Sequence, residues 1–243
     1  MSILKVMTHR ILALSFCLLS VLGTSAQIGE HRSTVAIGVN AGATLNKISF
    51  DPTIKQTWLA APTFGVALRL TSEKYFKTLC SLQIELNYSQ LGWKEQIVNS
   101  ADEPLPDTYL RRLNYIQMPF LARLAWGRER RGVMGYIMAG PQIGFCIGEK
   151  DERSDWTLNA EGVPDRPNNM YAQYDMKIDR RFDYGITGGI GIEANTAIGH
   201  FCLDGRYYYG LSDIFSNGKK DTFSRSNNGT IAVRLTYFFD VHK

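Results

Sequence analysis

The feature that most limits what this chain can fold into is a period of two residues. Between residues 80 and 90 one parity reads Cys80, Leu82, Ile84, Leu86, Tyr88, and the other reads Ser81, Gln83, Glu85, Asn87, Ser89. Successive side chains of a strand point to opposite faces, so such a segment is an extended strand with one greasy and one polar side. The alternation recurs at residues 115–126, 182–193, 201–211 and 230–239, and more weakly at 35–45, 62–70 and 133–147. No segment offers a competing helical period, so the sequence predicts an all-β fold of eight strands.

The connections alternate in length. Those near residues 72–77, 127–132 and 194–199 are short, whereas 46–61, 94–112, 149–181 and 212–228 are long. Loops above about 15 residues are uncommon in compact soluble domains. Short turns at one end and long loops at the other describe an antiparallel outer-membrane-type barrel with periplasmic turns and extracellular loops. No stretch supplies the roughly 18 uninterrupted apolar residues of a spanning helix. The longest loop, 149–181, mixes both charge signs with Pro164 and Pro167 and is expected to be mobile and wet. No internal boundary, repeat or low-complexity tract divides the chain.

Alternation alone does not say which parity faces outward, and a soluble lipocalin-like barrel would put the apolar side inside. The polar parity argues against that. It is rich in glycine (Gly38, Gly42, Gly65, Gly140, Gly144, Gly185, Gly189, Gly191) and has no lysine in its strand centres. A water-facing sheet gains nothing from glycine, whereas a narrow eight-stranded lumen needs small residues beside its few large ones. The large ones are Arg69, Arg123, Arg206 and Arg234 against Glu85, Asp183, Glu193 and Asp204. An unpaired charge in such an interior costs several kcal/mol, so these eight are expected to form a lumen charge network in which Glu85 and Asp183 partner arginines. The apolar parity carries Phe64, Tyr88, Trp126, Phe182, Tyr209, Tyr237 and Phe239 near strand ends, where interfacial girdles sit. The apolar face is therefore predicted to meet lipid.

The first 26 residues read as a signal peptide: Lys5 and Arg10, then 12 apolar residues from Ile11 to Leu22, then the small Thr24-Ser25-Ala26. The barrel domain is then 27–243, beginning at Gln27 outside the cytoplasm. Cys17 lacks the surroundings of a lipoprotein site, because Phe16 precedes it and the apolar run continues past it. Without Lys5 and Arg10 the chain has 25 basic and 23 acidic residues, too even for a nucleic-acid partner. Cys80, Cys146 and Cys202 are isolated and show no metal spacing; one disulfide is open to them, a disulfide scaffold is not.

These segments resemble the PorT-like outer-membrane β-barrel family of Bacteroidetes. The likeness is carried by Gly38-Val39-Asn40-Ala41-Gly42, Leu113-Asn114-Tyr115-Ile116-Gln117-Met118-Pro119 and Gly140-Pro141-Gln142, and by Phe182-Asp183-Tyr184-Gly185 and Arg206-Tyr207-Tyr208-Tyr209-Gly210-Leu211. It spans the whole chain after the leader. It implies an outer-membrane location, both termini in the periplasm, a last strand paired with the first, and a role supporting type IX-like protein secretion with secretion-machinery partners. Because a fold hosts many functions, a surface-binding or envelope-structural barrel with no transport role stands beside that reading.

The residues offer little to an enzyme. The histidines are His9 in the leader, His31 before the first strand, His200 at a short turn and His242 after the last strand. None lies in a long loop, so a surface Ser–His or Asp–His site has no base. No cofactor or metal is expected. Arg123 or Arg206 could line an anion path, but side chains fill an eight-stranded interior, and a closed ion-pair network is the expectation. The basic turn Arg128, Arg130, Arg131 reads as a solvated face, with phosphate or partner anchoring the alternative. The partners expected are outer-membrane lipid and a secretion or surface protein. Trp58, Trp156, Tyr171 and Tyr174 are candidate loop contacts, against the simpler reading that the loops pack on themselves.

Overall fold

The computed structural model describes residues 30–129, 131–167, 170–218 and 221–242, with side chains from 33 to 241. The leader and Arg130 lie outside the described residues, as do the side chains of His31 and His242. The compact unit runs from His31 to Lys243.

Eight long strands form it: β1 Glu30–Asp51, β3 Leu59–Tyr75, β4 Thr78–Glu95, β5 Tyr109–Gly127, β6 Gly132–Arg153, β7 Phe182–Asn195, β8 His200–Asp213 and β9 Arg225–His242. A two-residue β2, Gln56–Thr57, pairs with the far end of β4 and prolongs β3 past an irregularity. Each long strand pairs with its chain neighbours, and β1 pairs antiparallel with β9 through Val39 opposite Tyr237 and Leu45 opposite Ile231. The pairing closes into an antiparallel ring with no free edge, the one sheet arrangement a bilayer tolerates. Among the described residues no helix is long and apolar enough to cross a membrane.

The register puts the apolar parity outside. Leu82, Leu86, Ile137, Ile143, Tyr184, Ile186, Ile190, Leu203, Val233 and Leu235 are exposed around the ring. Their neighbours in sequence Gln83, Glu85, Asp183, Thr187, Asp204 and Arg234 are buried inside it. The glycines of the inner parity let the strands approach. A Cβ on Gly140 would lie 1.9 Å from the Phe120 carbonyl oxygen, and one on Gly42 2.1 Å from that of Val233.

The strands run further than a membrane requires. A tilted spanning strand needs about 9–11 residues, whereas β1 and β6 have 22 each. The surplus is at the long-loop end, where the pattern inverts. There the inward side chains are Phe50, Leu91, Trp93, Tyr109, Leu113 and Tyr115, and the outward ones include Lys94 and Arg112. Apolar-in and polar-out is the pattern of a barrel standing in water. The long connections expected at 94–112, 149–181 and 212–228 are therefore only 96–108, 154–181 and 214–224.

The expectation that 149–181 is mobile and wet is corrected. Gln173 and Tyr174 of the short 3-10 turn Ala172–Tyr174 are buried, and Ile178 joins the same cluster as Trp93, Tyr109, Phe215 and Phe223. The four loops roof the ring with that cluster. Among the described residues, Cys80, Cys146 and Cys202 are free thiols.

Candidate functional site: the charged axis and the cavity below it

Three layers fill the ring. At the outer end, Phe50 lies 5.3 Å edge-on to Trp93 and 5.0 Å from Phe223, and Trp156 stacks 4.4 Å from Tyr174. Polar groups lock the loops over this cap. Arg166 bonds the Asp107 carboxylate at 2.8 Å and the Tyr174 hydroxyl at 2.8 Å. Tyr174 donates on to Glu95 at 3.0 Å. Burial pushes the Asp107 carboxyl up, but the Thr157 hydroxyl and amide and the Arg166 guanidinium outweigh it and hold Asp107 below its ordinary range. Arg111 pairs with Glu149 across β5 and β6.

Of the candidate loop contacts, Trp156 and Tyr174 are thus committed to the cap, and Tyr171 packs against it. Trp58 is exposed, with the Lys47 ammonium 4.6 Å above its ring.

The middle layer holds the first ion cluster. Arg206 grips Glu85 with both terminal nitrogens at 2.9 Å, and Arg234 donates to the same carboxylate at 2.8 Å. Gln83 and Asn87 donate to it as well, at 2.6 and 2.9 Å. Arg206 also pairs with Asp204, which accepts from Tyr136 at 3.2 Å. Two guanidiniums face two carboxylates, and the cluster is balanced.

The lower layer holds the second cluster. Arg69 and Arg123 both donate to one oxygen of Glu193, Arg69 at 2.8 Å. The Arg123 guanidinium lies 4.0 Å over the Tyr136 ring, and that of Arg69 lies 4.4 Å over Phe238. The other Glu193 oxygen is 3.1 Å from His200 Nδ1. His200 Nδ1 also lies 2.6 Å from the Asn195 side-chain oxygen, and Nε2 lies 3.1 Å from Asp240. Both ring nitrogens thus face oxygen atoms of neighbouring side chains.

Seven of the eight expected lumen charges therefore fall into two clusters. Asp183 does not. It accepts from Ser212 and from the Asn228 amide at 2.9 Å, and among the described residues no arginine pairs with it. The expected arginine partner is corrected: Arg206 and Arg234 are drawn down to Glu85, and the ring around Asp183 is lined by hydroxyls and amides. The sequence also left out the neutral side chains that line the lumen beside the charges, including Asn40, which donates to Asn87 at 2.9 Å, and Thr187, which donates to Gln142 at 2.7 Å. The signal was present: these residues share the inner parity with the charges.

Below the second cluster the interior opens. A cavity of about 960 Å³ reaches from Arg69, Arg123 and Glu193 to Glu129 and Arg131 and to the short turn Thr196–Gly199. Short turns mark the periplasmic end of an outer-membrane barrel. Among the described residues no group of three or more His, Cys, Asp or Glu is placed to hold a metal.

Residues 25–216 match the model of the outer membrane protein beta-barrel domain family. The chain belongs to that family. It is an outer-membrane protein, its exposed apolar belt in contact with lipid. Three solved barrels are similar in outline. Ail of Yersinia pestis, solved with a heparin analogue, is 14% identical over 86% of this chain and 100% of its own, with a TM-score of 0.37. OprG of Pseudomonas aeruginosa is 13% identical over 86% and 97%, with a TM-score of 0.44. The outer membrane enzyme PagL is 11% identical over 84% and 98%, with a TM-score of 0.40. No curated protein matches the chain.

Proposed function

We propose that this outer-membrane β-barrel protein is a closed, non-enzymatic barrel that works from its periplasmic face in support of protein secretion. One observation carries the reading: the outer mouth is roofed by packed aromatics and buried ion pairs, while the cavity opens at the short-turn end. Solutes have no evident reason to approach a roofed mouth, and an eight-stranded interior filled by side chains is too narrow to conduct. A periplasmic working face agrees with the resemblance to PorT-like barrels and their type IX-like secretion role. The lumen charge network then serves as the rigid, balanced filling that keeps the ring closed.

A deletion strain tests this. Retention of normally secreted cargo in the periplasm, reversed by the restored gene, is the expected result. Unchanged secretion refutes it and favours a second reading, a surface-binding or envelope-structural barrel. That reading draws on the strands standing clear of the lipid belt and on exposed Trp58.

A further inference from the structure

The two ion clusters differ in balance. In the upper one Arg206 and Arg234 meet Glu85 and Asp204. In the lower one Arg69 and Arg123 share a single carboxylate, Glu193. Among these three groups positive charge exceeds negative by one, and they sit where the interior opens into the cavity. A guanidinium has five N–H donors in a fixed fork. Arg123, only 1% exposed, spends one nitrogen on Glu193, and its Nε is buried without a hydrogen-bond partner. A buried donor left unmade is costly, and native interiors seldom keep one without a reason.

We propose that the cavity is a binding site for an organic carboxylate, held by Arg69 and Arg123 beside Glu193. The surplus of one charge suits a monoanion. Both guanidiniums are held over the rings of Phe238 and Tyr136, so the donors are oriented before a ligand arrives. Two further carboxylates line the cavity: Glu129, which pairs with Lys74, and Asp240, 3.1 Å from His200 Nε2. Arg131 at the mouth adds attraction for an anion. Ala36, Leu79, Met134, Ile198 and Phe239 give the walls apolar stretches, which fit the body of an organic acid. A volume of about 960 Å³ lies within the range of small-ligand sites, about 300–1,000 Å³.

A carboxylate could reach this site as a free acid or as the C-terminus of a periplasmic polypeptide, and the test separates the two. The full chain in detergent micelles is titrated calorimetrically with 4-phenylbutyrate, with its alcohol, with the peptide acetyl-Ala-Leu-Phe and with the amide of that peptide. An acid should bind at least tenfold more tightly than its neutral counterpart, and Arg123→Gln should remove that preference. Binding of phenylbutyrate alone assigns the site to free acids, and binding of the peptide acid alone assigns it to chain termini. Equal binding of acids and neutral analogues, or none by either acid, overturns the proposal. Should Arg123→Gln not assemble, the wild-type protein gives the answer: an arginine Nε–H resonance must shift on titration with the acid, and its constancy overturns the proposal equally. The inference takes from the preceding reading only that this end faces the periplasm. Binding by purified protein and cargo retention by a deletion strain fail independently.

Discussion

Replacing Glu85 by alanine tests the axial network where its connectivity is greatest. The Glu85 side chain is fully buried and receives Arg206, Arg234, Gln83 and Asn87 at once. After Glu85→Ala, Arg206 keeps Asp204, but among the described residues Arg234 has no other ion pair and its Nε is already without a partner. One buried cation is stranded, not two. Removing one partner of a buried pair costs about 3–5 kcal/mol, and that is the expected loss. Urea unfolding of the refolded barrel, followed by tryptophan fluorescence, should show a midpoint lower by more than about 1 M. The double variant Glu85→Gln with Arg234→Met removes the stranded charge and should recover most of the loss, since deleting both partners of a buried pair is close to neutral. Asp183→Asn, where no guanidinium depends on the carboxylate, should cost clearly less. A Glu85→Ala loss under about 1 kcal/mol, or a double variant no more stable than the single one, would refute the reasoning.

Leu86, 45% exposed on the outer face of β4, should not accept a charge: Leu86→Arg costs about 2–4 kcal/mol at mid-depth and should abolish heat-modifiable gel migration. Gly140→Ala should destabilise the barrel by about 1–3 kcal/mol in the same urea assay, because its Cβ meets the Phe120 carbonyl, whereas Gly135→Ala, with nothing within 4 Å, should be tolerated. The outer cap should loosen in acid. Asp107 titrates below its ordinary value of 3.8, so its contribution is complete above that value and is lost as the pH falls through the lower folded one. Near-UV circular dichroism of the cap aromatics should weaken there, and Asp107→Asn should remove that acid step.

The membrane-spanning part of the fold was legible because its chemistry is one-sided. In β4 every second residue from Ser81 to Ser89 is polar, and the ring buries all of them. The charges followed, since Arg69, Arg123, Arg206 and Arg234 share that parity. Two things were not legible. Pairing depends on relative strand height, so the sequence placed Asp183 among the charges but not a level above the arginines. The outer ends were misread because the solvent changes along the strand. Past the lipid, β5 carries Tyr109 inward and Arg112 outward, and a rule tuned to lipid on the outside reads that stretch as loop. Trp93 at the end of β4 meets Phe215 of the connection 214–224 only in the folded ring, a contact no local pattern announces.

The account stands on which parity of the strands meets lipid. Single spin labels at each position from 81 to 88, in a cysteine-free protein reconstituted in phospholipid vesicles, measure this through collision with oxygen. High oxygen accessibility at 82, 84, 86 and 88, with low values at 81, 83, 85 and 87, is the expected result. The opposite phase, or uniform accessibility to a water-soluble relaxant, contradicts it.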